Sequence, residues 1–288
     1  NEEKTWIQNN KVKVGVEQWA PIYFSNSNKD IDGIAGDFLK LIIRKTGLNI
    51  EVTKDLWNPL LEKFKNKEID LLPATYYTDE RATYGLYSNG YYQMNDYIFI
   101  KENNSKIDSM SDLNGKTLAI QKGYGTISKV RNKFPKIKIV ETKDLGDSIN
   151  RVLNGEVDAL YENQIAVQYK LVELFKTGLK GIFQSAFPTS NLHFFSNIDK
   201  PILQKIIQKA LSSITFEEKS KIIRKWIESN DKIKLSNKEQ EWLNKKIPVR
   251  YVYDPDWEPF EWKNDLNKHS GMLYDIINII AQKTGIEF

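Results

Sequence analysis

The sequence predicts an α/β protein, with layers of mainly parallel strands covered by helices and a strand-and-helix piece of the same kind repeated at its carboxyl end. Two observations predict it. Strand-like and helix-like apolar patterns alternate along most of the chain, and residues 12–50 recur in register as residues 250–288.

Strand composition falls at 11–16, 48–53, 69–73, 96–101, 117–121, 137–141, 159–161 and 192–196. Helical spacing of apolar residues falls between most of these, at 35–45, 57–65, 145–154, 164–176, 200–211 and 216–229. With 288 residues and 40% hydrophobic content, the chain can bury ordinary cores in two domains or one two-lobed unit.

The repeat holds at a constant shift of 238 residues without a gap. Trp19 and Pro21 meet Trp257 and Pro259, Gly33 and Asp37 meet Gly271 and Asp275, and Lys45-Thr46-Gly47 meets Lys283-Thr284-Gly285. Each copy reads as strand, loop, amphipathic helix and glycine stop. Ahead of each copy, Glu3, Trp6 and Ile7 resemble Glu239, Trp242 and Leu243. The expected organisation is a linker at 1–10, a complete unit at 11–233, a second linker at 234–246 and the start of another unit at 247–288.

Composition excludes several classes. The chain has no cysteine, so disulfides, thiol catalysis and Cys-type zinc sites are ruled out. Its longest uninterrupted apolar run, Tyr97 to Ile100, is far short of the roughly 20 residues a membrane span needs. A net charge of +4 is scattered through every segment, which argues against nucleic acid as a partner. No charged segment with an apolar core precedes the first strand, so an export signal is not expected within these residues.

The run Glu68-Ile69-Asp70-Leu71-Leu72-Pro73-Ala74-Thr75-Tyr76-Tyr77-Thr78-Asp79-Glu80-Arg81, followed by Tyr87-Ser88-Asn89-Gly90-Tyr91-Tyr92, resembles the family 3 bacterial extracellular solute-binding proteins. Those carry a G-x-x-D, T-x-x-R, F-S-x-P-Y signature. Gly115 to Ile120 with Gly123, Gly155 to Ala159 and Lys225-Trp226-Ile227 continue the likeness. The segment Leu235 to Leu243 is similar to the joint between tandem domains in hybrid histidine kinases.

The resemblance implies a two-lobed, type II periplasmic-binding-protein (Venus flytrap) fold on a two-strand hinge, followed by a βα fragment of a second copy. Lobe 1 is then about 11–100 with 196–233, and lobe 2 about 101–195. It further implies a non-enzymatic sensor module outside the cytoplasm, tethered to the inner membrane as part of a larger signalling protein. Its partners are a small polar or anionic solute, the rest of that protein and, as an option, a second copy. No cofactor or metal is implied. The solute-binding protein of an ABC transporter is the alternative, and a dehydratase-like enzyme on the same fold a more distant one.

In such sheets solutes lie beyond the carboxyl ends of the strands. Arg81 matches the family arginine that grips a ligand carboxylate, so the resemblance makes it the anchor for an anionic group. Thr78, three residues earlier, serves equally well as a turn cap. Tyr76 stands where amino-acid binders place a smaller hydroxyl donor. Asn163 stands where the family has the acid that pairs with a ligand ammonium, with Glu162 beside it. Trp19, Tyr23 and Phe24 follow the first strand and supply aromatic walls or ordinary packing. Gly123, Tyr124, Gly125 and Thr126 form a glycine-flanked turn at a helix start, where free amides suit an anion. Asp37 and Asp275 read as helix-start acids, Asp70 and Asp158 as strand-entry residues, and His193 and His269 as bystanders.

Overall fold

A computed structural model describes residues 2–104, 106–184, 187, 190–227 and 237–288. The chain forms two compact units, one ending at Trp226 and the other beginning at Ile227.

The first unit is built on two sheets. One orders the strands Asn49–Lys54, Lys11–Val16, Leu71–Tyr76, Ser190–Asn197 and Gly85–Tyr87, with Tyr92–Met94 also paired to Ser190–Asn197. The first three are parallel, and Ser190–Asn197 runs antiparallel to Leu71–Tyr76. The other sheet orders Lys138–Thr142, Thr117–Gln121, Ala159–Asn163, Asp96–Lys101 and Leu179–Gln184, again three parallel strands followed by two antiparallel ones.

Each sheet buries both faces, which is why its central strands are almost wholly apolar. Val12, Val14 and Val16 pack with Phe38, Leu39, Ile42, Leu203 and Ile207 on one side of the first sheet. Leu60, Phe64, Ile69, Leu72 and Phe195 cover the other. In the second sheet Leu118 and Ile120 join Ile127 and Val130, while Ala119, between them, faces the helix residues Ile149 and Val167. The helix Ile34–Thr46 buries Ile34, Phe38, Leu41 and Ile42, spaced by three and four. It ends where Gly47 takes φ +77 and donates to the Ile43 carbonyl.

Asp70 and Asp158 stitch strand entrances together in their two sheets. Asp70 accepts from the Lys13 amide at 2.9 Å, and Asp158 from the Thr117 amide and hydroxyl at 2.8 and 2.7 Å.

Two expectations need correction. Residues 2–9 are a helix, Glu2–Asn9, not a bare linker; Trp6 and Ile7 pack on the first core and Glu3 pairs with Lys209. Asp96–Lys101 lies wholly in the second sheet and Ser190–Asn197 wholly in the first, so the lobe boundaries expected at 100/101 and 195/196 both fall earlier in the chain. The chain changes lobes at Asn95, between Tyr92–Met94 and Asp96–Lys101, and again between Gln184 and Ser190. The boundary expected at 233/234 lies outside the described residues.

The second unit contains the helix Asn237–Asn244, a small sheet of Asp256–Trp257, Glu261–Lys263 and His269–Ser270, and the helix Met272–Thr284. Its details repeat those of the first. Gly33 and Gly271 both precede a helix with positive φ, and Gly47 and Gly285 both close one. The Asn26 side-chain carbonyl accepts from the amides of Asn28 and Asp30 at 3.0 Å, and Asn264 does the same for Leu266 and Lys268. The predicted strand near 250 does not form. Val249 makes one strand-like bond to the Glu287 carbonyl, whereas Lys11–Val16 lies between two strands. The apolar face differs in cover as well. Val14, Ile22, Ile34, Phe38 and Ile42 are fully buried, but their counterparts Val252, Phe260, Met272, Ile276 and Ile280 are exposed.

Candidate functional site

The carboxyl ends of four parallel strands converge between the lobes of the first unit. Glu17 and Trp19 follow Lys11–Val16, and Tyr76 ends Leu71–Tyr76. From lobe 2, Gln121 ends its strand just before Gly123 and Tyr124, and Glu162 lies near the end of Ala159–Asn163.

Four direct hydrogen bonds join the lobes here, one of them from the Tyr76 hydroxyl to Asp96 at 3.0 Å. The Trp57 indole and the Arg81 guanidinium both donate to the Gly123 carbonyl, at 3.0 and 2.8 Å, and the Gln121 amide donates to Glu17 at 2.9 Å. Trp19 meets Tyr76 and Tyr124 edge-on, with ring centroids 6.0 and 6.3 Å apart. Beneath these contacts lies a cavity of about 20 Å³ lined by Trp19, Trp57, Tyr76, Arg81, Tyr124 and Glu17, among others, and beside it a cleft of about 500 Å³ lined from both lobes by Thr78, Arg81, Gly123, Tyr124 and Gly125, among others. The inner cavity has room for about one water molecule and for no solute. The conformation described is closed.

Glu17, Asp96 and Glu162 bring three carboxyl groups into this dry region, each buried. Burial pushes Glu17 up to about 7, although the Gln121 amide and the Arg81 charge pull the other way. Glu162 is pushed up to about 8, chiefly by burial and further by the charges of Asp96 and Glu17, against the Asn163 amide. Asp96 is raised by burial too, opposed by hydroxyls of Tyr76 and Tyr161 at 3.0 and 3.1 Å. Tyr124 donates weakly to Glu162, at 3.4 Å.

The residues singled out from sequence divide. Trp19, Tyr76, Arg81 and Tyr124 meet around the cavity. Arg81 is 4% exposed, and its fork is spent on the carbonyls of Tyr76 and Gly123 while it lies over the Trp57 ring. Thr78 caps the short helix Asp79–Ala82 by accepting from the Arg81 amide. Asn163 caps Gln164–Glu173 through the amides of Ile165 and Ala166 and donates to the Asn95 carbonyl. Its side chain is therefore fixed in lobe architecture. Thr126 begins the helix Thr126–Lys133 and is buried, and Tyr23 lies within the lobe 1 core. His193 binds the Ser88 carbonyl, and burial lowers its pKa.

Sequence reasoning missed Glu17, Trp57 and Gln121. Glu17 carried a signal, an acid closing an apolar strand. Trp57 carried none, since it reaches the cleft from a helix start whose other large residues are core.

The sequence profile of the bacterial extracellular solute-binding proteins, family 3, matches residues 12–229. The chain belongs to this family. Among curated family-related proteins, it is 25% identical over 227 residues to the virulence sensor protein BvgS of Bordetella pertussis, covering 78% of this chain. It is 26% identical over 231 residues to the sensor protein EvgS of Escherichia coli K12, again over 78% of this chain. The matched regions span only 18% and 19% of those two relatives. The crystal structure of the B. pertussis BvgS periplasmic VFT2 domain superimposes with a TM-score of 0.70 at 24% identity, covering 78% of this chain and 97% of that domain. The fold is the two-lobed periplasmic-binding-protein fold.

Proposed function

We propose that the first unit is the solute-binding input module of a membrane-tethered sensor, placed outside the cytoplasm, with movement of the lobes as its signal. One observation carries this reading. The lobes meet through four specific hydrogen bonds around a strand-end pocket, so a solute that enters must break or replace them. A binding event there is coupled to lobe position. The likeness to BvgS and EvgS, both sensor proteins, supports the same reading.

The pocket is walled by Trp19, Tyr76 and Tyr124 with Arg81 beneath, which suits recognition of a small polar solute and not catalysis of a reaction. Residues 247–288 begin a second flytrap domain. The register of the repeat, the matched glycine and asparagine turns and the exposed counterparts of the first unit's core residues support this. A tandem arrangement fits a sensor better than a freestanding transporter subunit.

A thermal-shift screen of amino acids, amines and small carboxylates tests the reading. A solute of the cleft raises the melting temperature in proportion to the logarithm of its concentration. A flat response across the whole set would overturn it.

A further inference from the structure

We infer that Phe24 passes the position of lobe 2 to the helix that carries the chain out of the first unit, through an aromatic relay from Tyr169 to Trp226. The inference rests on the reading of lobe movement as the signal and concerns how that movement leaves the module.

The relay lies away from the solute pocket. Phe24, Tyr169 and Trp226 line neither the strand-end cavity nor the wider cleft beside it. Helix Phe216–Ile227 closes the first unit, whose last residue is Trp226. The end of this helix is fastened to lobe 1. The Trp226 indole donates to Asp37 at 2.8 Å, and the Lys225 ammonium meets Asp37 at 2.7 Å and Asp32 at 3.6 Å. These partners travel with lobe 1, so they convey nothing about lobe 2. The ring of Phe24 does. It stands edge-on to Trp226, with centroids 5.9 Å apart and planes at 84°, and its centroid lies 6.2 Å from that of Tyr169, on the lobe 2 helix Gln164–Glu173.

Two further constraints fit Phe24 for this task. It lies on the short pairing of Phe24–Ser25 with Ile31–Asp32, directly opposite Asp32, which itself meets Lys225 of the last helix. It also follows a tight turn in which the amides of Ile22 and Tyr23 both donate to the Trp19 carbonyl at 2.8 Å. Trp19 walls the strand-end cavity, so the pocket and lobe 2 both bear on one ring. Phe24 is half-buried between its two neighbours, and Tyr169 is 42% exposed. When the lobes part, Tyr169 leaves with lobe 2 and one side of Phe24 passes into water. Its contact with Trp226 then loses a supporting neighbour, and the end of the helix loosens. Covered and bare are two discrete surroundings of one side chain, which is what transmission through packed groups requires.

Hydrogen–deuterium exchange of the amides of residues 216–227, in the 288-residue protein, tests the relay. The ring of Tyr169 meets Phe24 and not Trp226, so its removal reaches the helix through Phe24. Tyr169→Ala is expected to speed exchange over these residues about threefold, and to add nothing once Phe24→Leu has taken away the ring between them. Leucine keeps an apolar side chain in lobe 1, and the melting curve of that variant verifies its fold. Exchange unchanged in Tyr169→Ala, or raised by the same factor again in the Phe24→Leu background, would overturn the relay. Either of these results leaves solute binding in the first unit standing, because the thermal-shift screen tests that separately.

Discussion

At the residue scale, Arg81 shows how a matched position can differ in use. Its place after Leu71–Tyr76 was legible from the T-x-x-R spacing, but its partners were not, because the Gly123 carbonyl comes from the other lobe, 42 residues away. A buried guanidinium shared by two carbonyls contributes to stability as well as to binding. Arg81→Ala is expected to lower the unfolding free energy by about 3 kcal/mol, with Arg81→Lys intermediate because it lacks the planar fork. Urea denaturation checks this, and a midpoint equal to that of the unaltered protein would contradict it. Glu17 and Glu162 give a pH dependence of definite sign. Both are raised above the ordinary 4.5, to about 7 and about 8, so between those values the folded protein binds more protons than the unfolded chain. Their stabilising contribution is complete below about pH 4.5 and is lost as the pH rises through 7 and 8, with Glu17 alone accounting for about 3 kcal/mol. The urea midpoint should fall between pH 5 and 9, and the Glu17→Gln/Glu162→Gln variant should flatten that fall. A midpoint that rises over this range would count against the buried acids.

At the element scale, most strands and helices were readable because their apolar spacing matches their burial. The helix Ile34–Thr46 and its glycine stop are the plainest case. Short strands such as Gly85–Tyr87 and Tyr92–Met94 were not readable, since three residues hold no period and their pairing to Ser190–Asn197 comes from distant sequence. The same limit misplaced the hinge. An extended run such as Asp96–Lys101 looks alike whether it crosses between lobes or lies within one, and only its partners on either side decide. The turn from Gly123 to Thr126 was visible as a turn, but its purpose lies across the cleft. A Cβ at Gly125 would come within 2.4 Å of the Thr78 methyl. Thr78 cannot rotate away without breaking the cap it makes to the Arg81 amide. Gly125 has φ −61, so alanine strains nothing locally and its whole effect falls on the spacing of the lobes. Gly125→Ala is therefore expected to hold the lobes apart, lengthening the distance between spin labels on residues 66 and 132.

At the scale of the whole molecule, the repeat was the strongest message in the sequence. The glycines shared by its two copies mark backbone positions with positive φ, at Gly33 and Gly271 and at Gly47 and Gly285. The paired turn residues Asn26 and Asn264 repeat as well, with the same side-chain bonds to the loop amides. What the sequence could not convey was the state of the cleft, since the cross-lobe bonds join residues that no local pattern connects. The central claim is that the first unit rests closed, with Trp57 and Arg81 bound to Gly123 and Gln121 to Glu17. The chain has no native cysteine, so a single pair can be introduced cleanly. Asn66→Cys in lobe 1 and Asn132→Cys in lobe 2 are both exposed sites. Pulsed electron–electron distance measurement on this labelled pair, with no solute added, should give one narrow short distribution that broadens and lengthens in Gly125→Ala. A broad or long distribution in the protein without that change would contradict the closed resting state.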